Sequence, residues 1–149
     1  MNQETSALDA EVTAKIHASF QLQQVMQLLN ARLRSVKPGE TSIEFPYQKA
    51  LTQQNGYIHA GILSTVVDSA CGYAALSLMP PACGVLSIEF KVNFLSPAIG
   101  EFFIATGKVV RAGRNITVCS GEVMAITPAT HKVVAVMQAT MMTVENRND

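Results

Sequence analysis

The chain has 149 residues with 11 Lys and Arg against 11 Asp and Glu, enough for one buried core, too few for two ordinary domains, and neutral overall. That balance removes any electrostatic reason to hold nucleic acid or an anionic membrane surface and points to small molecules or other protein surfaces as partners. Cys71, Cys83 and Cys119 form no CxxC pair, so they suggest neither a disulfide framework nor a zinc site and read as buried thiols in a reducing compartment.

The first twenty residues carry Glu4, Asp9, Glu11 and Lys15 and lack an apolar run, which argues against a secretory signal and for a cytoplasmic protein. Over residues 8–33 apolar side chains recur at helical spacing, as in Val12, Ile16 and Phe20, and predict an amphipathic helical lead-in broken once. Lys37-Pro38-Gly39-Glu40 marks a turn, residues 41–47 alternate as a first strand ending at Pro46, and residues 48–55 form a polar loop. Residues 61–79 fit a helix by length, with Pro80-Pro81 to stop it.

Beyond the helix the period changes. In residues 85–95, Leu86, Ile88, Phe90, Val92 and Phe94 alternate strictly with Ser87, Glu89, Lys91 and Asn93, which predicts a strand with one buried face. Residues 101–111, 116–127 and 132–144 supply three more β-rich runs joined by short links, read as antiparallel meanders. The expected architecture is α+β in one domain over residues 1–149: a helical lead-in over about residues 8–35, then an antiparallel sheet of about five strands around one long central helix. Residues 145–149 and the first few residues read as unstructured.

The most informative residue is Asp68, the single charge in residues 60–79. A carboxylate at that depth would cost about 2.5–3.5 kcal/mol in a bilayer, which argues against a membrane span. On a water-soluble fold, a desolvated acid beside polar groups is a common form of catalytic residue. Its neighbours three and four residues away are Ser64, Thr65, Cys71 and Gly72, all small, so this helix face leaves room for a ligand. The plainer alternative is a buried acid satisfied by Ser64 or Thr65, or paired across a subunit interface. At the helix start, the N–H groups near His59, Ala60 and Gly61 point at whatever carbonyl oxygen approaches, the makings of an oxyanion hole. Gly61 and Asp68 are separated by roughly 10 Å along the helix at 1.5 Å per residue. If they act together on one carbonyl group, they come from different chains, which predicts a site at a dimer interface.

Gln53, Gly56, His59-Ala60-Gly61 and Asp68, followed by Phe90-Lys91-Val92-Asn93-Phe94-Leu95-Ser96-Pro97-Ala98, resemble the hotdog-fold acyl-CoA thioesterases of the PaaI-like and 4-hydroxybenzoyl-CoA types. Ala60 and Gln53 stand where that family often has Gly and Asn. The resemblance implies a hotdog homodimer, able to pair again into a tetramer, that hydrolyses acyl-CoA with no cofactor beyond the coenzyme A of its substrate. It implies that Gly61 N–H polarises the thioester carbonyl, that Asp68 of the facing subunit is general base or nucleophile, that His59 and Gln53 orient thioester or water, and that Ser87 assists the water. It also places Arg111 and Arg114, in a basic turn, and more weakly Lys91, near the coenzyme A phosphates, although a charged hairpin tip is commonly just solvated.

Other chemistries lack their residues. There is no GxSxG elbow, P-loop or GxGxxG pattern. His17 and His131 have no second ligand at metal spacing, and Cys71, one turn from Asp68, would be a poor nucleophile. A non-catalytic acyl-CoA-binding protein and a hydratase or dehydratase are the competing readings, the latter disfavoured because no His-Phe-Pro type loop precedes the helix. Tyr57, Tyr73 and the methionines of the last strand are expected to set acyl preference.

Overall fold

A computed structural model describes residues 8–145; the ends expected to be unstructured fall almost wholly outside them, apart from Glu145. Asp9 opens helix α1 (Ala10–Leu22) by accepting the Glu11 N–H at 2.9 Å, and α1 buries Val12, Ile16 and Phe20 along one stripe. Gln23, in an extended conformation, breaks the lead-in before the short α2 (Gln24–Leu28). The lead-in is therefore helical and broken once, as its spacing predicts, but it stops short of residue 35. Strand β1 (Arg32–Lys37) follows and was not foreseen, because a register shift between Leu33 and Ser35 spoils its alternation.

Gly39, at φ +71°, closes the hairpin from β1 to β2 (Glu40–Pro46). After the long helix α3 (Ala60–Leu76) come β3 (Gly84–Phe94), β4 (Phe102–Ala112), β5 (Ile116–Ile126) and β6 (His131–Val144). All ladders are antiparallel, in the order β1-β2-β4-β5-β6-β3, so the described residues form one antiparallel sheet of six strands where about five are expected. β4, β5 and β6 form the expected meander. β3 does not pair with β4; the link over residues 95–101 carries the chain past β5 and β6, leaving β3 at the far edge beside β6.

α3 lies on one face of the sheet, and two glycines let it approach. Gly107 and Gly121 are cross-strand partners; a Cβ on Gly107 would stand 2.4 Å from the Cys71 backbone nitrogen, and one on Gly121 would stand 2.6 Å from Val67 Cγ2. Val66, Val67, Ala70 and Cys71 pack there against Ile43, Phe45, Phe103 and Val123 in one core, with the Phe45 and Phe103 rings stacked at 5.1 Å between centroids. Lys15 ties α1 to the chain after α3, donating to the carbonyls of Pro81 (2.7 Å) and Cys83. Among the described residues no helix is long and apolar enough to cross a membrane.

β3 departs from expectation in one more way. Its apolar residues do not share one buried face: Leu86, Ile88, Phe90 and Phe94 are all exposed, Ile88 to 53%, and Leu95 just beyond the strand to 56%. An eleven-residue apolar strand with a free edge is the kind that natural sheets cover or pair.

Candidate functional site

Asp68 projects from the middle of α3, half-buried, toward β3. The Ser87 hydroxyl donates to Asp68 Oδ1 at 2.7 Å, and a bulge in β3 makes this contact possible. In the register with β6, Ser87 opposes Met141 and Glu89 opposes Thr140, so Ile88 is the extra residue between them. Past the bulge, Phe90, Val92 and Phe94 oppose Ala139, Met137 and Ala135 on the α3 side of the sheet, and so does Ser87. Strict alternation would have put Ser87 with Glu89, Lys91 and Asn93 on the other face. The expected polar face of β3 is thus corrected at Ser87: the bulge re-aims it inward.

Ser64 and Thr65 do not satisfy the acid. Their hydroxyls donate back along the helix, to the carbonyls of Ala60 (3.0 Å) and Gly61 (2.8 Å). Burial raises the Asp68 carboxyl above its ordinary pKa, and the Ser87 hydrogen bond pulls it part of the way back by favouring the charged form. Cys71, fully buried, has its thiol pushed far up, mainly by burial, then by Cys119 and Asp68, while burial alone raises Cys119 to about 11. Neither is a nucleophile at neutral pH.

Asp68 lines a cavity of about 440 Å³. Ser69, Gly72, Tyr73 and Leu76 of α3 form one side, Val85, Leu86 and Ser87 of β3 with Met141 another, and Ser19, Leu22 and Gln23 of the lead-in the third. Tyr73 and Met141, expected to shape acyl preference, are both here. Sequence reading did not anticipate Ser19 and Gln23, which lie in a polar stretch with no distinguishing pattern.

A second cavity of about 420 Å³ opens at the start of α3, lined by Gln53, Tyr57, Ala60 and Leu63 with residues 94–98 at the far end of β3. The loop before it is well organised. Residues Lys49–Leu51 make one 3-10 turn, Thr52 bridges Ile58, Gln53 N–H donates to the Tyr57 carbonyl at 2.8 Å, and Gln53 Oε1 accepts from Asn55 N–H. Gly56 sits at φ +84°, a conformation glycine reaches without strain, whereas Ala60 takes an ordinary helical φ and loses nothing by not being glycine. His59 caps α3: its Nδ1 accepts the Gly61 N–H at 2.9 Å, which fixes the ring proton on Nε2. The Gly61 donor is thus held in place by His59, and an incoming oxygen shares it or displaces the imidazole.

The two cavities share no lining residue, so one protomer brings Asp68 and Ser87 together in one and has Gln53 and Ala60 in the other, while His59 and Gly61, the chain neighbours of Ala60, line neither. Arg111 and Arg114 stand exposed at the β4–β5 hairpin and line neither cavity. Lys91 opposes Gln138 on the sheet face away from α3, its Nζ 3.3 Å from Asn93 Oδ1. No group of three or more His, Cys, Asp or Glu side chains is placed to hold a metal among the described residues.

Residues 55–130 match the family model of the thioesterase superfamily. A thioesterase family protein from Silicibacter pomeroyi is 47% identical and superposes with a TM-score of 0.88 over 90% of this chain and 98% of its own. Human acyl-coenzyme A thioesterase 13 is 30% identical over 104 residues, 69% of this chain and 72% of that protein. The PaaI protein of the E. coli phenylacetic acid degradation operon, 18% identical, shares the fold with a TM-score of 0.83 over 94% of this chain and 98% of that one.

Proposed function

Since the chain belongs to the thioesterase superfamily and is a thioester hydrolase, we propose that it cleaves acyl-CoA thioesters at a site completed by two copies of itself. The observation that carries this reading is the division of the chemistry between two places at opposite ends of β3, an edge strand paired with β6 on one side only. The acid cavity takes in the start of β3, Val85 to Ser87; the cavity at the helix end takes in its finish, Phe94 and Leu95. Two β3 strands paired antiparallel about a twofold axis would set the start of one against the finish of the other. That pairing closes the open edge, covers Ile88, Phe90 and Phe94, and puts Asp68 of one subunit across from Gly61 of its partner.

In this reading Gly61 N–H and the positive end of α3 meet the thioester oxygen, an arrangement whose loss typically costs about a hundredfold or more in rate. Asp68 Oδ1 is held by Ser87, leaving Oδ2 to take a proton from water as the water oxygen bonds to the carbonyl carbon. Collapse of the tetrahedral intermediate breaks the C–S bond, and the proton held on Asp68 passes to the departing coenzyme A thiolate, which restores the carboxylate. His59 keeps the Gly61 donor aligned, and Gln53, whose Oε1 is engaged in its own loop, offers its amide N–H groups toward the substrate. Arg111 and Arg114, in no ion pair among the described residues, are available to the coenzyme A phosphates. Thiol release from a panel of short, medium, long and aromatic acyl-CoAs tests the reading. Turnover by the wild type that is lost in Asp68→Asn supports it; binding of acyl-CoA without release of thiol from any member overturns it.

A further inference from the structure

We propose that Gln23 is a specificity-determining residue, whose side-chain amide clasps one turn of α3 and so fixes the wall that limits the length of acyl group the Asp68 cavity accepts. The inference rests on the acyl-CoA reading above and adds to it how the acyl group is selected.

Gln23 is the single extended residue between α1 and α2, so its backbone sets the angle at which the lead-in meets α3. Its side chain reaches across to two residues spaced one turn apart on α3. Gln23 Nε2 donates to the Tyr73 hydroxyl at 2.7 Å, and Gln23 Oε1 accepts from the Ser69 hydroxyl at 3.3 Å. Ser19, on the last turns of α1, lies 3.1 Å from the same Tyr73 oxygen, and the Phe20 ring packs on the Tyr73 ring with centroids 6.1 Å apart. Tyr73 is only 4% exposed and Gln23 is partly buried, so the hydroxyl and the amide that meets it form a part-buried polar contact, costly to separate without a replacement partner.

The position of this contact gives it a consequence for the ligand. Ser69 follows Asp68 directly, and Tyr73 lies about 7.5 Å further along the helix axis at 1.5 Å per residue. An acyl group that starts at Asp68 and runs along Gly72 toward Leu76 passes beside the Gln23 amide at Ser69 and reaches Tyr73, which that amide holds, after about 7.5 Å from Asp68. Apolar side chains alone would yield to a longer chain by changing rotamer. A wall held by paired hydrogen bonds does not yield without stranding polar groups, so it acts as a length limit.

The test uses the full-length protein and acyl-CoA thioether analogues of increasing chain length, which bind without being cleaved, measured by isothermal titration. Wild type should bind progressively better with length and then lose affinity once the chain meets the wall. In Gln23→Ala the loss should move to longer chains, raising the ratio of long-chain to short-chain affinity by at least about tenfold. Tyr73→Phe keeps the ring and removes the clasp partner, so it should shift the ratio the same way by less, and it carries the test should Gln23→Ala fail to fold. A length profile unchanged in the folded variants, with or without a lower melting temperature, would overturn the inference. Parallel thiol release separates the two readings: length-selective binding with no hydrolysis of any thioester defeats the proposed reaction, whereas hydrolysis with an unmoved length profile defeats the role of Gln23 alone.

Discussion

The two ends of β3 lie against the same helix, yet they face opposite kinds of chemical group. At the start of α3 the functional groups are backbone donors and an imidazole on an exposed turn, held by a loop whose hydrogen bonds close on themselves. In the middle of α3 the functional group is a half-buried carboxylate, held by a serine that reaches it only through a bulge. In the proposed reaction one end stabilises negative charge and the other withdraws a proton, and hydrolysis of a thioester needs both within reach of one carbon. On the proposed function neither end is a site by itself, and the contrast makes the free edge of β3 the part of the molecule that would join them.

Removing the acid should break the comparison most severely. Asp68→Asn keeps the shape and an acceptor for Ser87, and kcat/KM measured by thiol release should fall by about 10²–10⁴. The same variant should melt no lower than wild type at neutral pH. Asp68 has a raised pKa in the folded protein, so the stability its proton contributes is present below the unfolded value of ~3.9 and lost as pH rises through the folded value. Above that range the ionised form is the less stable one, and asparagine avoids it. Calorimetry at neutral pH checks the sign.

Removing the donor comes next. Gly61→Pro deletes the N–H in the first turn, where the ring of proline suits the helical φ, and kcat/KM should fall by about 10²–10³ with the fold retained by circular dichroism. A Cβ at Gly61 would stand 3.1 Å from His59 Nδ1, so the imidazole shifts by a few tenths of an ångström to admit it. The smallest effect is expected at Ser87. Its hydrogen bond lowers the Asp68 pKa, so Ser87→Ala should raise it further and move the acidic limb of the pH–kcat/KM profile to higher pH. The loss should be largest in acid and nearly vanish in alkali; a limb that stays in place would separate Ser87 from the acid's titration.

Much of this was legible in the residues, and the rest was hidden for identifiable reasons. The length and apolar character of residues 60–79, the alternation of residues 85–95 and of residues 41–47, and the turn at Pro38-Gly39 announced α3, β3, β2 and the turn before it, and the isolation of Asp68 marked the acid. Alternation says which residues share a face but not which strand lies alongside, so the place of β3 beside β6 could not be read from it. Nor does a bulge mark a sequence that alternates without interruption, so Ser87 was placed on the wrong face although it was singled out. β1 was missed because its charged residues and its own irregularity masked the period. Gln23 was missed because one glutamine in a run of glutamines is distinguished only by what it touches after folding.

The central claim, that one carbonyl is served by Asp68 of one chain and Gly61 of another, is tested most directly by mixing Asp68→Asn with Gly61→Pro after each has been shown inactive alone. Random reassociation of twofold dimers places half of the molecules in mixed pairs with one intact site each, so activity should recover to about a quarter of wild type. Mixed pairs detected by native mass spectrometry with no recovery of thiol release would contradict the account.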